Sequence, residues 1–91
     1  MNQSELLSTE RVLKALANKR RLAILVFIKK TGEASVGDVA EHIKLSFKST
    51  SRHLSVLMAA DILQSEQRGL HVFYRLNPRL PRGARQMATI L

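Results

Sequence analysis

Apolar positions follow a helical period through the first two thirds of the chain and then switch to a period of two. From Ser8 or Thr9 to Ala17, the residues Val12, Leu13, Leu16 and Ala17 recur at helical spacing, and either hydroxyl residue is placed to cap a first helix. Asn18 is placed to cap a second helix reaching about residue 30. There Leu22, Leu25 and Val26 share one face while Ala23, Ile24, Phe27 and Ile28 cover much of the rest, the pattern of a central buried helix. Lys29 and Lys30 suit the negative end of its dipole, and Gly32 suits its stop. Ser35 and Asp38 have capping-box spacing, and Val36, Val39, Ala40 and Ile43 make the stripe of a third helix ending at Ile43 or Lys44. Ser46 then caps a fourth helix running to about Ala60, with Leu54, Leu57 and Met58 facing inward and Thr50 one turn before them.

Beyond Leu63 the alternation predicts two strands, 63–67 and 71–76, joined by a turn at Arg68-Gly69 and ended by Pro78. Glu33-Ala34 adds a small third strand. A last short helix after Pro81 places Ala84, Met87, Ala88 and Leu91 on one side. The order ααααββα is mainly α with a β-hairpin wing. A three-residue turn between the third and fourth helices, followed directly by a hairpin, describes a winged helix-turn-helix. The 91 residues are read as one such domain, 1–91, because the length leaves no room for a second core.

Charge changes the picture more than composition does. Fifteen Lys and Arg oppose seven Asp and Glu, a net charge of +8. Eight basic residues face five acidic ones up to Leu45, and seven face two thereafter, so the excess gathers in the C-terminal half. A basic surface of this kind fits a polyanionic partner, with general solubility as the plain alternative. The absence of cysteine excludes disulfides, thiolate metal sites and thiol redox chemistry. The longest apolar run, residues 22–28, is too short to span a bilayer, and the acidic N-terminal stretch is unlike a secretory signal. A cytoplasmic protein with no membrane partner is expected. No nucleophile–base pair or phosphate loop is present, and the carboxylates are scattered, so an enzyme is not expected.

The fourth helix carries the candidate chemistry. Lys48, Ser51, Arg52 and Ser55 fall opposite Leu54, Leu57 and Met58, and no acidic residue lies between Ser46 and Ser55. A helix entering the major groove of double-stranded DNA needs long cationic donors and short hydroxyl residues that permit close approach. Arg52 is the candidate for a guanine edge, whose O6 and N7 match its planar fork. Ser46, Ser49, Ser51, His53 and Ser55 are further candidate contacts to bases or phosphates. On the hairpin, Arg68, His71 and Arg75 suit a wing against a neighbouring minor groove or backbone. The plainer alternatives are a solvated amphipathic helix and a hairpin whose charges protect its edge.

Several of these segments resemble the arsenic-repressor-like (ArsR/SmtB) regulators. They are residues 13–25 (Leu-Lys-Ala-Leu-Ala-Asn-Lys-Arg-Arg-Leu-Ala-Ile-Leu), 35–40 (Ser-Val-Gly-Asp-Val-Ala), 45–57 (Leu-Ser-Phe-Lys-Ser-Thr-Ser-Arg-His-Leu-Ser-Val-Leu) and Gly69 with 72–76 (Val-Phe-Tyr-Arg-Leu). The resemblance implies a homodimeric transcription factor, typically a repressor, that binds a palindromic operator and leaves it when an effector binds. It also implies pairing of the first and last helices across the dimer. That assigns residues 1–17 and 79–91 to dimerisation, through Val12, Leu13, Leu16, Ala84, Met87, Ala88 and Leu91. The alternative for these stripes is packing within the chain. Metal-sensing members carry Cys-x-Cys where this chain has Ser35 and Gly37, and others use acidic and His ligands on a last helix that here has none. His42, His53 and His71 lie on three separate predicted elements. No metal site and no cofactor is expected, and the effector is left open. A protein-binding winged helix and a non-specific architectural DNA binder are the competing functional readings.

Overall fold

In the computed structural model, which describes residues 1–91, Asn18, Ser35 and Ser46 act as the helix caps that their positions predict. The elements are α1 (Gln3–Leu16), α2 (Lys19–Thr31), β1 (Ala34–Ser35), α3 (Val36–Ile43), α4 (Phe47–Ala59), β2 (Leu63–Arg68), β3 (His71–Leu76) and α5 (Ala84–Ile90). Asn18 Oδ1 accepts from the amides of Arg20 and Arg21, both at 3.0 Å. Ser35 and Asp38 form the reciprocal capping box at the start of α3. Gly32 ends α2 with φ +88°, a conformation that costs glycine little.

The strands form one antiparallel sheet in the order β1-β3-β2. Ala34 pairs with Tyr74, Leu63 with Leu76, and Arg68 with His71. The core lies where α1, α2, α3 and α4 converge above this sheet, and Val12, Ile24, Ile28, Val39, Leu54, Leu57 and Ile62 are its most deeply buried side chains. Thr50 is also fully buried, and its hydroxyl has no hydrogen-bond partner. No helix is long and apolar enough to cross a membrane.

Four local expectations are corrected. Helix α1 starts at Gln3 and not near Ser8 or Thr9. Asn2 Oδ1 accepts from the Glu5 amide at 2.8 Å and Glu5 Oε1 from the Asn2 amide at 3.2 Å, so a capping box nucleates the helix where no apolar period marks it. The hairpin turn is Gly69-Leu70, with Arg68 inside β2; Gly69 has φ +59° at the first turn position, as a two-residue turn of the II′ class requires. Strand β1 lies one residue later than expected, at Ala34–Ser35. Helix α2 is buried on one side only, through Ile24, Leu25 and Ile28, while Ala23 and Val26 are exposed. Leu22 and Phe27 flank that side half-buried, Phe27 stacking on His42 of α3 with ring centroids 4.1 Å apart, and one small chain has nothing left to cover Ala23 and Val26.

Candidate nucleic-acid interface

The turn between α3 and α4 sets how α4 is presented. Lys44 closes α3 in the left-handed conformation, φ +56°, and the Leu45 amide donates back to Ala40 O at 3.1 Å. Ser46 follows as cap, its Oγ accepting from the Ser49 amide at 3.1 Å. Thr50, Leu54 and Leu57 then anchor one edge of α4 in the core. The 3.6-residue period puts Lys48, Arg52 and Ser55 on the opposite edge, where all three are exposed. Neither Lys48 nor Arg52 enters an ion pair, so both cations are free to meet an external anion. Ser49 and Ser51 lie half-buried on the flanks, and Ser46 remains exposed while capping.

His53 is placed differently from its expected role as a DNA contact. It is half-buried, and its Nδ1 lies 3.3 Å from Nη1 of Arg21. Arginine has no acceptor, so the imidazole accepts on Nδ1 and is neutral in this arrangement. Burial, then the charges of Arg21 and Arg20, hold its pKa below the ordinary 6.5. The same guanidinium donates from Nε to Ala15 O at 2.6 Å and from Nη2 to Lys14 O at 3.1 Å. Arg21 thus ties the last turn of α1 to α4 from the first turn of α2. Sequence reasoning missed this role, because Arg21 reads as one of three consecutive basic residues with nothing to single it out.

The wing is less cationic than its sequence suggests. Arg68 binds Glu33 through both terminal nitrogens, Nη1 donating to Oε1 at 2.9 Å and Nη2 to Oε2, and its Nε donates to Glu66 Oε1 at 3.1 Å. The guanidinium also covers the Phe73 ring at 4.4 Å from its centroid. The Arg68 hydrogen bond is the main reason the Glu33 carboxyl sits below its ordinary range, against an opposing effect of desolvation. Arg75 Nη1 lies 3.4 Å from Glu66 Oε1. Arg68 and Arg75 are therefore not free donors, and Glu33 and Glu66 balance their charge. His71 is exposed beside Phe73 without an acidic partner.

The stripes assigned to dimerisation divide in two. Val12, Leu16 and Ala84 are buried within the chain itself, at 1%, 7% and 2% exposure, which corrects their assignment to an intersubunit surface. Leu13 is 57% exposed, and Met87, Ala88 and Leu91 are half-buried. The longer α1 adds Leu6 and Leu7, and α5 adds Ile90, all exposed. Helix α5 lies against α1, with Arg82 3.7 Å from Glu5 and the Gly83 backbone beside Val12. No three His, Asp or Glu side chains converge as metal ligands, and Ser35 and Gly37 occupy the start of α3.

Residues 18–65 match the family model described as bacterial regulatory protein, arsR family. The chain is 36% identical over 66 residues to the transcriptional repressor SdpR of Bacillus subtilis (strain 168), covering 72% of each protein. It is 36% identical over 77 residues to the arsenic resistance transcriptional regulator ArsR1 of Pseudomonas putida, covering 85% of this chain and 60% of that one. Its structure superposes on the homodimeric winged helix-turn-helix DNA-binding domain Mb0332 of Mycobacterium bovis with a TM-score of 0.81 and 27% identity, over 93% of this chain and 75% of that one.

Proposed function

The chain belongs to the arsR family of bacterial regulatory proteins, and on that premise we propose that it is a transcriptional repressor acting on a palindromic operator as a homodimer. Helix α4 enters the major groove, Arg52 reads a guanine edge, and Lys48 neutralises phosphate. The observation that carries this reading is the exposed edge of α4, with two unpaired cations, short hydroxyl residues and no acid from Ser46 to Ser55. SdpR is a repressor and Mb0332 is a homodimeric DNA-binding domain, and both support it. The exposed parts of α1 and α5, with Leu13 and Ile90, supply the dimer contact. Release from DNA does not run through a thiolate metal site, since Ser35 and Gly37 offer no thiolate.

Selection of bound sequences from random duplex DNA at two salt concentrations tests the proposal. A palindrome with half-sites about one helical turn apart is expected at both. Enrichment of no sequence, with steep salt dependence throughout, would identify a non-specific binder instead.

A further inference from the structure

We propose that Phe47 reads a thymine 5-methyl group in the major groove, a contact that rests on the DNA-binding reading above and adds an apolar determinant to it. Phe47 is the first residue of α4 and is 64% exposed, whereas Val39, Leu54 and Leu57 of the same helix pair are buried. It belongs neither to the hydrophobic core nor to the partly buried residues packed against it. Its ring lies largely in water at the first turn of a recognition helix, the part of such a helix that reaches base edges.

The surroundings of Phe47 narrow the occupant. The ring borders an open groove with Val36 and Gly37 at the start of α3 and Leu70 and Val72 of the wing. Leu70, at the turn, is 98% exposed. Lys48 follows Phe47 directly along the chain and the whole chain carries +8, so a polyanion is the partner that both kinds of surface can meet together. The apolar feature of a base edge in the major groove is the thymine methyl, and an aromatic side chain is among the groups that contact it. Phe47 therefore specifies an A·T pair within each half-site, in addition to the guanine assigned to Arg52.

The test uses the full chain and the duplex it enriches from random DNA, with each thymine replaced singly by uracil. This change deletes the methyl and preserves base pairing. One thymine in each half-site is expected to be sensitive, by about fourfold in Kd, the effect of one buried methyl. Phe47→Ala should bind the thymine and uracil duplexes equally while keeping the wild-type salt dependence and melting temperature. Phe47→Leu should retain part of the discrimination. A duplex insensitive to uracil throughout, or a Phe47→Ala variant as sensitive as wild type, overturns the assignment and leaves the DNA-binding reading standing. Unchanged DNA binding by Phe47→Ala together with loss of a protein partner overturns it as well. Failure to enrich any sequence removes the DNA-binding reading and this contact with it.

Discussion

Arg21 and His53 meet across the seam between α2 and α4, Nη1 of the arginine 3.3 Å from Nδ1 of the imidazole. The histidine sits one residue after Arg52, so this bond fixes the inner flank of the helix whose outer edge carries the cations. It holds only while the imidazole is neutral, because protonation would set two cations in contact.

Stability therefore depends on pH through His53. Its pKa in the folded protein lies below the ordinary 6.5, so the unfolded chain takes up the proton first as pH falls. The contribution is fully present above about pH 6.5 and declines as pH drops through the lower folded value. Melting temperature measured from about pH 8 to about pH 5 should fall more steeply for the wild type than for His53→Gln, which accepts the bond without titrating. Parallel slopes would remove His53 from the account.

Arg21→Ala should destabilise the domain by about 1–3 kcal/mol in urea unfolding, since it strips donors from Ala15 O and Lys14 O as well as from His53. Arg21→Lys should recover little of this, as one ammonium cannot span three acceptors arranged for a fork. Full recovery by lysine would reduce the role of Arg21 to bare charge.

Arg52→Ala should weaken binding to the selected operator by about 1–3 kcal/mol and relax base preference at one position of each half-site. Lys48→Ala should instead lower the slope of log K against log salt by about one, with similar losses on operator and random DNA. Equal losses on both DNAs for Arg52→Ala would contradict its base-reading role.

Glu33→Gln should free the terminal nitrogens of Arg68, which Glu66 still holds through Nε, towards phosphate, raising DNA affinity and steepening the salt slope by up to about one. Titration of binding against salt measures this. An unchanged slope would show that the wing stays clear of the DNA backbone.

Leu13→Glu should leave the fold intact and shift the protein to monomer in sedimentation, because Leu13 is exposed on α1. Leu16→Ala, by contrast, should cost about 2–5 kcal/mol of stability with little direct effect on association, because Leu16 packs inside the chain. A dimer that survives Leu13→Glu would move the interface elsewhere.

The helix order and the helix-turn-helix unit were legible because their signals are local. Asn18, Ser35, Asp38 and Ser46 act on backbone amides two or three residues away, and the apolar stripe of α3 lies within one short segment. The start of α1 was missed although its capping box is equally local, since Gln3 to Leu7 carry no repeating apolar face to draw attention to Asn2 and Glu5. Phe47 was read only as part of the resembling segment, because nothing along the chain separates an exposed ring from a buried one.

By itself, the sequence determined the order of elements and the acid-free cationic edge of α4, which follow from periodicity and neighbours within a turn, and its segments carried the resemblance to the family. Tertiary structure alone decided which cations are free. Arg68 meets Glu33 across 35 positions and Arg21 meets His53 across 32, whereas Lys48 and Arg52 meet no acid. It also decided that Val12 and Leu16 belong to the core while Leu13 between them faces out. Pattern lists the apolar and charged residues available on each element. Their partners depend on which elements come within a few ångströms of one another, and that is settled only when α1, α2, α4 and the sheet close on one core.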